Sequence, residues 1–274
     1  MEMLKTEMRN KKTTHIDKMS TKEMLAIISE ENYNATRAVE KALPSIANAV
    51  DEITQRLQEG GRLFYVGAGT SGRLGVLDAV ECPPTFGVSY DVVIGIIAGG
   101  NKCLTQASEN EEDKEECGQR DILLYDVCKK DAVVGISVAG GAAYVVGALK
   151  AAKAAGAKTI ALTSNEHSKI ATVAEIEILT DTGAEAVTGS TRMKAGTAHK
   201  MVLNMLSTCA MIKTGKVYEN MMINLKPSNI KLRERMLRIL SCIAGCDEKR
   251  SEKALEENGW NIRHAAEMLK GEKL

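Results

Sequence analysis

The chain has 274 residues, 44% of them hydrophobic, enough for one large α/β domain with a small appendage and a sizeable core. Lys and Arg number 36, as do Asp and Glu, so no overall field draws the chain to nucleic acid or to an anionic membrane, and 3% aromatic residues leave little for base stacking. Seven cysteines without a C-x-x-C pair point to reduced thiols in a cytoplasm and to no metal site, while the polar start and the lack of a long apolar run predict neither a signal peptide nor a membrane span.

In chain order, Ser20-Thr21-Lys22-Glu23 has capping-box form and is followed by Met24, Leu25, Ile27 and Ile28, so a helix begins there. A second amphipathic stretch runs from Ala35 to Leu57, with Val39, Leu43, Ile46, Ala47, Val50 and Ile53 on one face. Residues 1–58 are therefore expected to be N-terminal helices that pack on the main domain. Short, β-branched apolar runs follow at Leu63 to Val66, Val92 to Ile97, Ala132 to Val138, Thr159 to Leu162 and Ile176 to Leu179, with helical patterns between most of them. They predict an α/β fold over residues 59–225: a doubly wound, mainly parallel five-stranded sheet flanked by helices, its ligand crevice at the carboxyl ends of the strands. Residues 229–274 form a small C-terminal module of three short helices. Its Leu255-Glu256-Glu257-Asn258-Gly259-Trp260-Asn261-Ile262 stretch resembles the helix-turn-helix of ubiquitin-associated folds, with Trp260 read as packing.

The first strand breaks into Gly67-Ala68-Gly69-Thr70-Ser71-Gly72-Arg73 and then a helical pattern. Glycines let the backbone approach a ligand, the helix N-terminus presents unpaired N–H groups, and two hydroxyls add donors, which together suit a phosphate. The same letters fit the dinucleotide fingerprint, but the next strand ends in Ala98-Gly99-Gly100, without the acidic residue that would hold a ribose. Further on, Glu81-Cys82-Pro83-Pro84 is expected to end the helix and to fix Glu81 as a candidate acid or base, because proline cannot continue a helix. An acidic run, Glu109-Asn110-Glu111-Glu112-Asp113, follows the second strand. After the fifth strand, residues 183–197 form a second glycine and hydroxyl loop ahead of a helix expected from Ala198 to Thr214. In it Ser190 and Thr191 offer hydroxyls, Arg192 and Lys194 positive charge, and Glu185 a further carboxylate.

Three segments, Gly67 to Gly75, Glu81-Cys82-Pro83-Pro84-Thr85-Phe86-Gly87 and Thr188 to Thr197, together resemble the N-acetylmuramic acid 6-phosphate etherases of the sugar isomerase (SIS) superfamily, and the likeness runs from about Ile16 to the C-terminus. The resemblance implies a SIS-type sheet and a cytoplasmic lyase of cell-wall recycling. Such an enzyme removes D-lactate from N-acetylmuramic acid 6-phosphate by elimination across C2–C3 and addition of water, with no metal or redox cofactor. It also implies a homodimer with a sugar phosphate as ligand, Glu81 and Glu112 as the acid/base pair, and Gly69, Thr70, Ser71, Arg73, Ser190 and Thr191 among the binding residues. His199 is read as an interface histidine ahead of one that faces a neighbour's site. One stretch departs from the family. Where the pattern is Ser-Gly-Arg-Thr-Pro-Tyr, this chain has Ala139-Gly140-Gly141-Ala142-Ala143-Tyr144, so two hydroxyls and a guanidinium are replaced and only backbone N–H groups, Gly140 among them, remain to hold the anion. A non-catalytic sugar-phosphate regulator and an aldose–ketose phosphate isomerase, both of the same superfamily, stand as alternatives.

Overall fold

A computed structural model describes residues 3–106 and 111–273; Glu109 and Asn110 of the acidic run lie outside the described residues. The capping box forms as expected: Ser20 N donates to Glu23 Oε2 at 2.8 Å and Glu23 N donates to Ser20 Oγ at 3.4 Å. The helix it starts, α1, is one continuous 38-residue element, Thr21–Gln58, where the sequence predicted two. Pro44 does not divide it because it faces solvent, where the carbonyl that loses its N–H partner meets water. The buried face also differs from the one expected. Leu43 and Ala47 point outward, and Ala38, Ala42 and Ala49 join Ala35, Val39, Ile46, Val50 and Ile53 against the rest of the fold. Ahead of α1, three 3-10 turns, Lys5–Glu7, Lys11–Thr13 and Ile16–Lys18, lay the polar leader against the domain.

The central sheet has strands β1 (Leu63–Gly67), β2 (Val93–Ile97), β3 (Ala132–Ile136), β4 (Lys158–Thr163) and β5 (Ile176–Leu179) in the order β2-β1-β3-β4-β5, all parallel. The register places Leu63 beside both Val93 and Ala132, and Ile160 beside Ile176. Alternate strand residues face opposite layers. Leu63, Tyr65, Val134 and Ile160 enter one core with α1, α2 (Gly69–Phe86) and α6 (Lys194–Lys213), while Phe64, Val66, Val133 and Ala161 enter the other with α3 (Glu115–Leu123), α4 (Ala143–Ala154) and α5 (Lys169–Val173). Burial on both faces is why the strands read as unbroken apolar runs.

Two boundaries differ from expectation in ways that matter for the site. Helix α2 continues through Pro83 and Pro84 to a left-handed Gly87, so Glu81 lies within the helix and not beyond its end. Both prolines fall in the last turn, and Val80, whose carbonyl Pro84 leaves without a donor, is exposed to water. Strand β3 ends at Ile136, two residues before the expected Val138, although Ser137 N still donates to the Leu162 carbonyl and the Val138 carbonyl accepts from Ser164 N.

Beyond α6 a two-residue hairpin, β6 (Val217–Tyr218) with β7 (Met221–Met222), precedes α7 (Ile230–Ala244), α8 (Glu248–Glu257) and α9 (Ile262–Lys270). These helices close over their own core of Met236, Leu240, Leu255, Ile262 and Ala265, to which Ile223 and Leu225 also belong. Trp260 is half-buried at its edge, its ring 5.0 Å from the Arg233 guanidinium.

Candidate functional site

The strand order reverses between β1 and β3, which lie side by side but leave the sheet for helices on opposite faces. In open α/β sheets such a switch point opens a crevice at the strands' carboxyl ends. A cavity of about 280 Å³ occupies that place here. Its floor is Ile136, Ser137, Val138 and Ala139 from the end of β3, one wall is Ala68, Gly69, Thr70 and Ser71, and the remainder is Glu7, Glu112, Ala142 and Thr191. A larger hollow of about 540 Å³, at the amino ends of the strands, is walled by Leu57, Val88, Val92 and Met211 beside two lysines and offers no carboxylate.

The first wall is built by glycine. A Cβ on Gly67 would lie 2.7 Å from Gly72 N, and one on Gly72 would lie 2.6 Å from Gly67 O, so only this pair lets α2 start directly against β1. Gly69 opens the helix at φ +53°. No side chain caps α2, and its first intrahelical bond belongs to Gly72 N, so the N–H groups of Gly69, Thr70 and Ser71 are left to face the cavity beside two hydroxyls. The opposite side is more neutral than the family pattern would make it. Ala139 and Ala142 present methyl groups where hydroxyls were expected, and Gly141 is exposed with open space around a built Cβ.

Of the residues singled out from sequence, the structure gathers Gly69, Thr70, Ser71, Glu112 and Thr191 around one cavity. Others are elsewhere for definite reasons. Arg73 donates to the carbonyls of Leu104 and Gln106, at 3.0 and 3.3 Å, and so secures the loop after β2. Gly140 donates its N–H to Ser137 and accepts from Ile170 N, and a Cβ there would lie 2.2 Å from that of Ser168; it is a packing glycine whose backbone is already engaged. Glu185 is fully buried and accepts from Lys194 N and Ala195 N at 3.3 and 3.0 Å. That cap is why α6 begins at Lys194, four residues before the expected start. Desolvation raises the Glu185 carboxyl above its ordinary range against the opposing pull of those N–H groups.

Lys194 is not free to meet an anion, since its ammonium is buried against Glu31. Desolvation works to raise the Glu31 carboxyl, but hydrogen bonds from Lys194 and Asn10 and the charges of Lys194 and Lys12 hold it below its ordinary value. His199 corrects the interface reading. It is wholly enclosed within its own chain, Nε2 3.1 Å from Ser164 Oγ, and burial pushes its pKa down to about 4. Arg192 is exposed and Ser190 half-buried, neither of them on the cavity wall. Glu81 is exposed on α2 ten residues from Ser71, about 15 Å along a helix.

Two polar residues of the lining are not among those singled out from sequence. Ser137, whose Oγ accepts from Gly140 N at 3.1 Å, falls within the stretch expected as strand, and the rule that ligands gather at strand carboxyl ends points to it. Glu7 sits in the leader, where no periodicity or turn signal marks it.

Residues 45–153 match the glucokinase regulatory protein N-terminal SIS domain and residues 115–209 the SIS domain. The N-acetylmuramic acid 6-phosphate etherase of Caldanaerobacter subterraneus subsp. tengcongensis is 49% identical over 99% of this chain and 89% of its own. N-acetylmuramic acid 6-phosphate etherase 1 of Bacillus licheniformis is 50% identical over 97% and 88%. Among solved structures, a phosphoheptose isomerase from Francisella tularensis superposes with a TM-score of 0.53 at 16% identity over 71% of this chain and 100% of that one, a likeness of fold.

Proposed function

The chain belongs to the N-acetylmuramic acid 6-phosphate etherase family, and from that premise we propose that the cavity between β1 and β3 binds N-acetylmuramic acid 6-phosphate and that the protein eliminates its lactyl ether, releasing D-lactate and N-acetylglucosamine 6-phosphate in cell-wall recycling and amino sugar catabolism. Relatives sharing half their residues over nearly the whole chain favour this lyase over a regulator or an isomerase of the same fold. The observation that carries the reading is a carboxylate, Glu112, on the same small cavity as an uncapped helix N-terminus with two hydroxyls.

The phosphate lies against the N–H groups of Gly69, Thr70 and Ser71 and the hydroxyls of Thr70, Ser71 and Thr191, with the sugar ring toward Glu112. One carboxylate removes the C2 proton while a carboxylic acid protonates the ether oxygen on C3. The C3–O bond breaks, lactate departs and a C2–C3 double bond remains. Water then adds its oxygen to C3 and a proton returns to C2.

Glu81 is the second acid/base group of this reading, and its position calls for a homodimer. Separated from its own phosphate loop by about 15 Å of helix, it reaches a sugar only in the cavity of a second copy. Leu77 and Val80, exposed at 43% and 49% on the same helix face, support an interface there. Seven unpaired cysteines support a reducing, cytoplasmic setting. Incubation with N-acetylmuramic acid 6-phosphate is expected to release D-lactate in step with N-acetylglucosamine 6-phosphate; a ketose phosphate in place of lactate, or no product at all, overturns the assignment.

A further inference from the structure

Glu7 stands on the cavity wall, and its carboxylate has no protein partner among the described residues. The leader that carries it is nonetheless firmly held on both sides. Lys5 Nζ lies 2.9 Å from Glu166 Oε1 and 2.7 Å from Asp181 Oδ2. Thr6, fully buried, donates its N–H to Asn165 Oδ1 at 3.4 Å and accepts from Asn165 Nδ2 at 3.0 Å. Past Glu7, Asn10 Nδ2 donates to Glu31 Oε2 at 2.8 Å and to the Ala184 carbonyl at 3.2 Å. The strap is thereby fastened to the loops after β4 and β5 and to α1, while the one side chain between these anchors that reaches the cavity is left unengaged. Gly189 makes room for it: a Cβ there would come to 3.0 Å from Glu7 Oε2.

A carboxylate accepts hydrogen bonds and repels phosphate, so it has no use beside the anion and an evident one beside hydroxyl groups. The donors of Gly69, Thr70 and Ser71 come from the start of α2, whereas Glu7 lies over the loop that leads into α6 and Glu112 lies just ahead of α3, its carbonyl accepting from Tyr144 N in the first turn of α4. Building on the sugar-phosphate reading above, we propose that Glu7 is a third carboxylate of the site, which accepts hydrogen bonds from hydroxyls of the sugar and so fixes the ring against Glu112 while the phosphate stays at the α2 N-terminus. The site then selects a sugar phosphate over a bare phosphate through the leader, not through the phosphate loop.

Calorimetric titration of the full chain with N-acetylglucosamine 6-phosphate and, separately, with inorganic phosphate tests this. Glu7→Ala is expected to weaken the sugar phosphate about tenfold or more, the equivalent of about 1.4 kcal/mol, while inorganic phosphate binds as before or more tightly and the melting temperature holds. Glu7→Gln keeps an acceptor oxygen of the same reach and should fall between wild type and Glu7→Ala. Unchanged sugar-phosphate affinity in Glu7→Ala, an equal loss for both ligands, or a Gln variant weaker than the Ala variant overturns the proposal. Lactate release by the same preparations separates the two claims. Wild type that binds product yet releases no lactate refutes the etherase reading while the binding comparison still decides Glu7; wild type that binds neither ligand removes the site and the role of Glu7 together.

Discussion

Lys194 Nζ lies 2.5 Å from Glu31 Oε2, with both side chains almost wholly out of solvent, and so joins the first turn of α6 to the middle of the early half of α1. A lysine that sequence places beside a phosphate loop is thus a fastener under the site. Removing one member of a buried pair costs about 3–5 kcal/mol where the other charge is left uncompensated, and the lower end applies here because Asn10 and Lys12 remain beside Glu31. Lys194→Met is expected to lower unfolding free energy by that order in a denaturant titration, and Lys194→Met with Glu31→Leu should recover much of it. A loss of ligand affinity at unchanged stability would instead return Lys194 to the binding set.

Both carboxylates of the reaction should be needed. Glu112→Gln and Glu81→Gln keep the shape but cannot exchange a proton near neutral pH, so each should cut kcat for lactate release by about a hundredfold or more with the fold intact. If the two residues meet across a dimer, mixing and reassembling the two inactive variants restores roughly a quarter of wild-type activity, since about half the dimers are mixed and each of those holds one intact site. Full activity in either single variant refutes its role, and a monomer in sedimentation refutes the shared site.

The loop after β3 can be given back its polar groups. Ala139 and Ala142 line the cavity and Gly141 has open space around it, so Ala139→Ser, Gly141→Arg and Ala142→Thr introduce two hydroxyls and a guanidinium without a forced clash. The triple variant is expected to bind N-acetylglucosamine 6-phosphate at least about tenfold more tightly by calorimetry, or about 1.4 kcal/mol. Equal affinity would mean that the α2 N-terminus alone supplies the grip on phosphate.

His199 makes stability depend on pH. Because burial lowers its pKa from 6.5 to about 4, the unfolded chain takes up a proton between those values that the folded chain refuses. Stability is full above pH 6.5, declines as pH falls toward 4 and then levels for this group, a span of about 3 kcal/mol. Glu31, with its lowered pKa, adds a further loss as pH falls below the ordinary carboxylate range. His199→Asn should flatten the first part of the curve in urea titrations at pH 7, 6 and 5; an unchanged slope would show that other groups produce it.

The sheet and the first wall of the site are legible in the amino-acid order alone. Five β-branched runs suffice for a parallel sheet because burial on both faces demands continuous apolar residues, and Gly67, Gly69 and Gly72 specify a close strand-to-helix turn because any Cβ there collides with backbone or departs from the left-handed conformation. Glu112 was legible only through family resemblance, since an acidic run carries no period that would distinguish a site from a solvated surface. The company each polar side chain keeps is set by the folded chain. Lys194, Glu185 and His199 share a loop and helix start with Thr191, yet burial turns them toward Glu31, the α6 amides and Ser164, while Glu7, at the far end of the chain, is carried to the cavity by the anchors of Lys5, Thr6 and Asn10. Local sequence records which groups can ionise or donate; desolvation and long-range partners determine which remain free to meet a ligand.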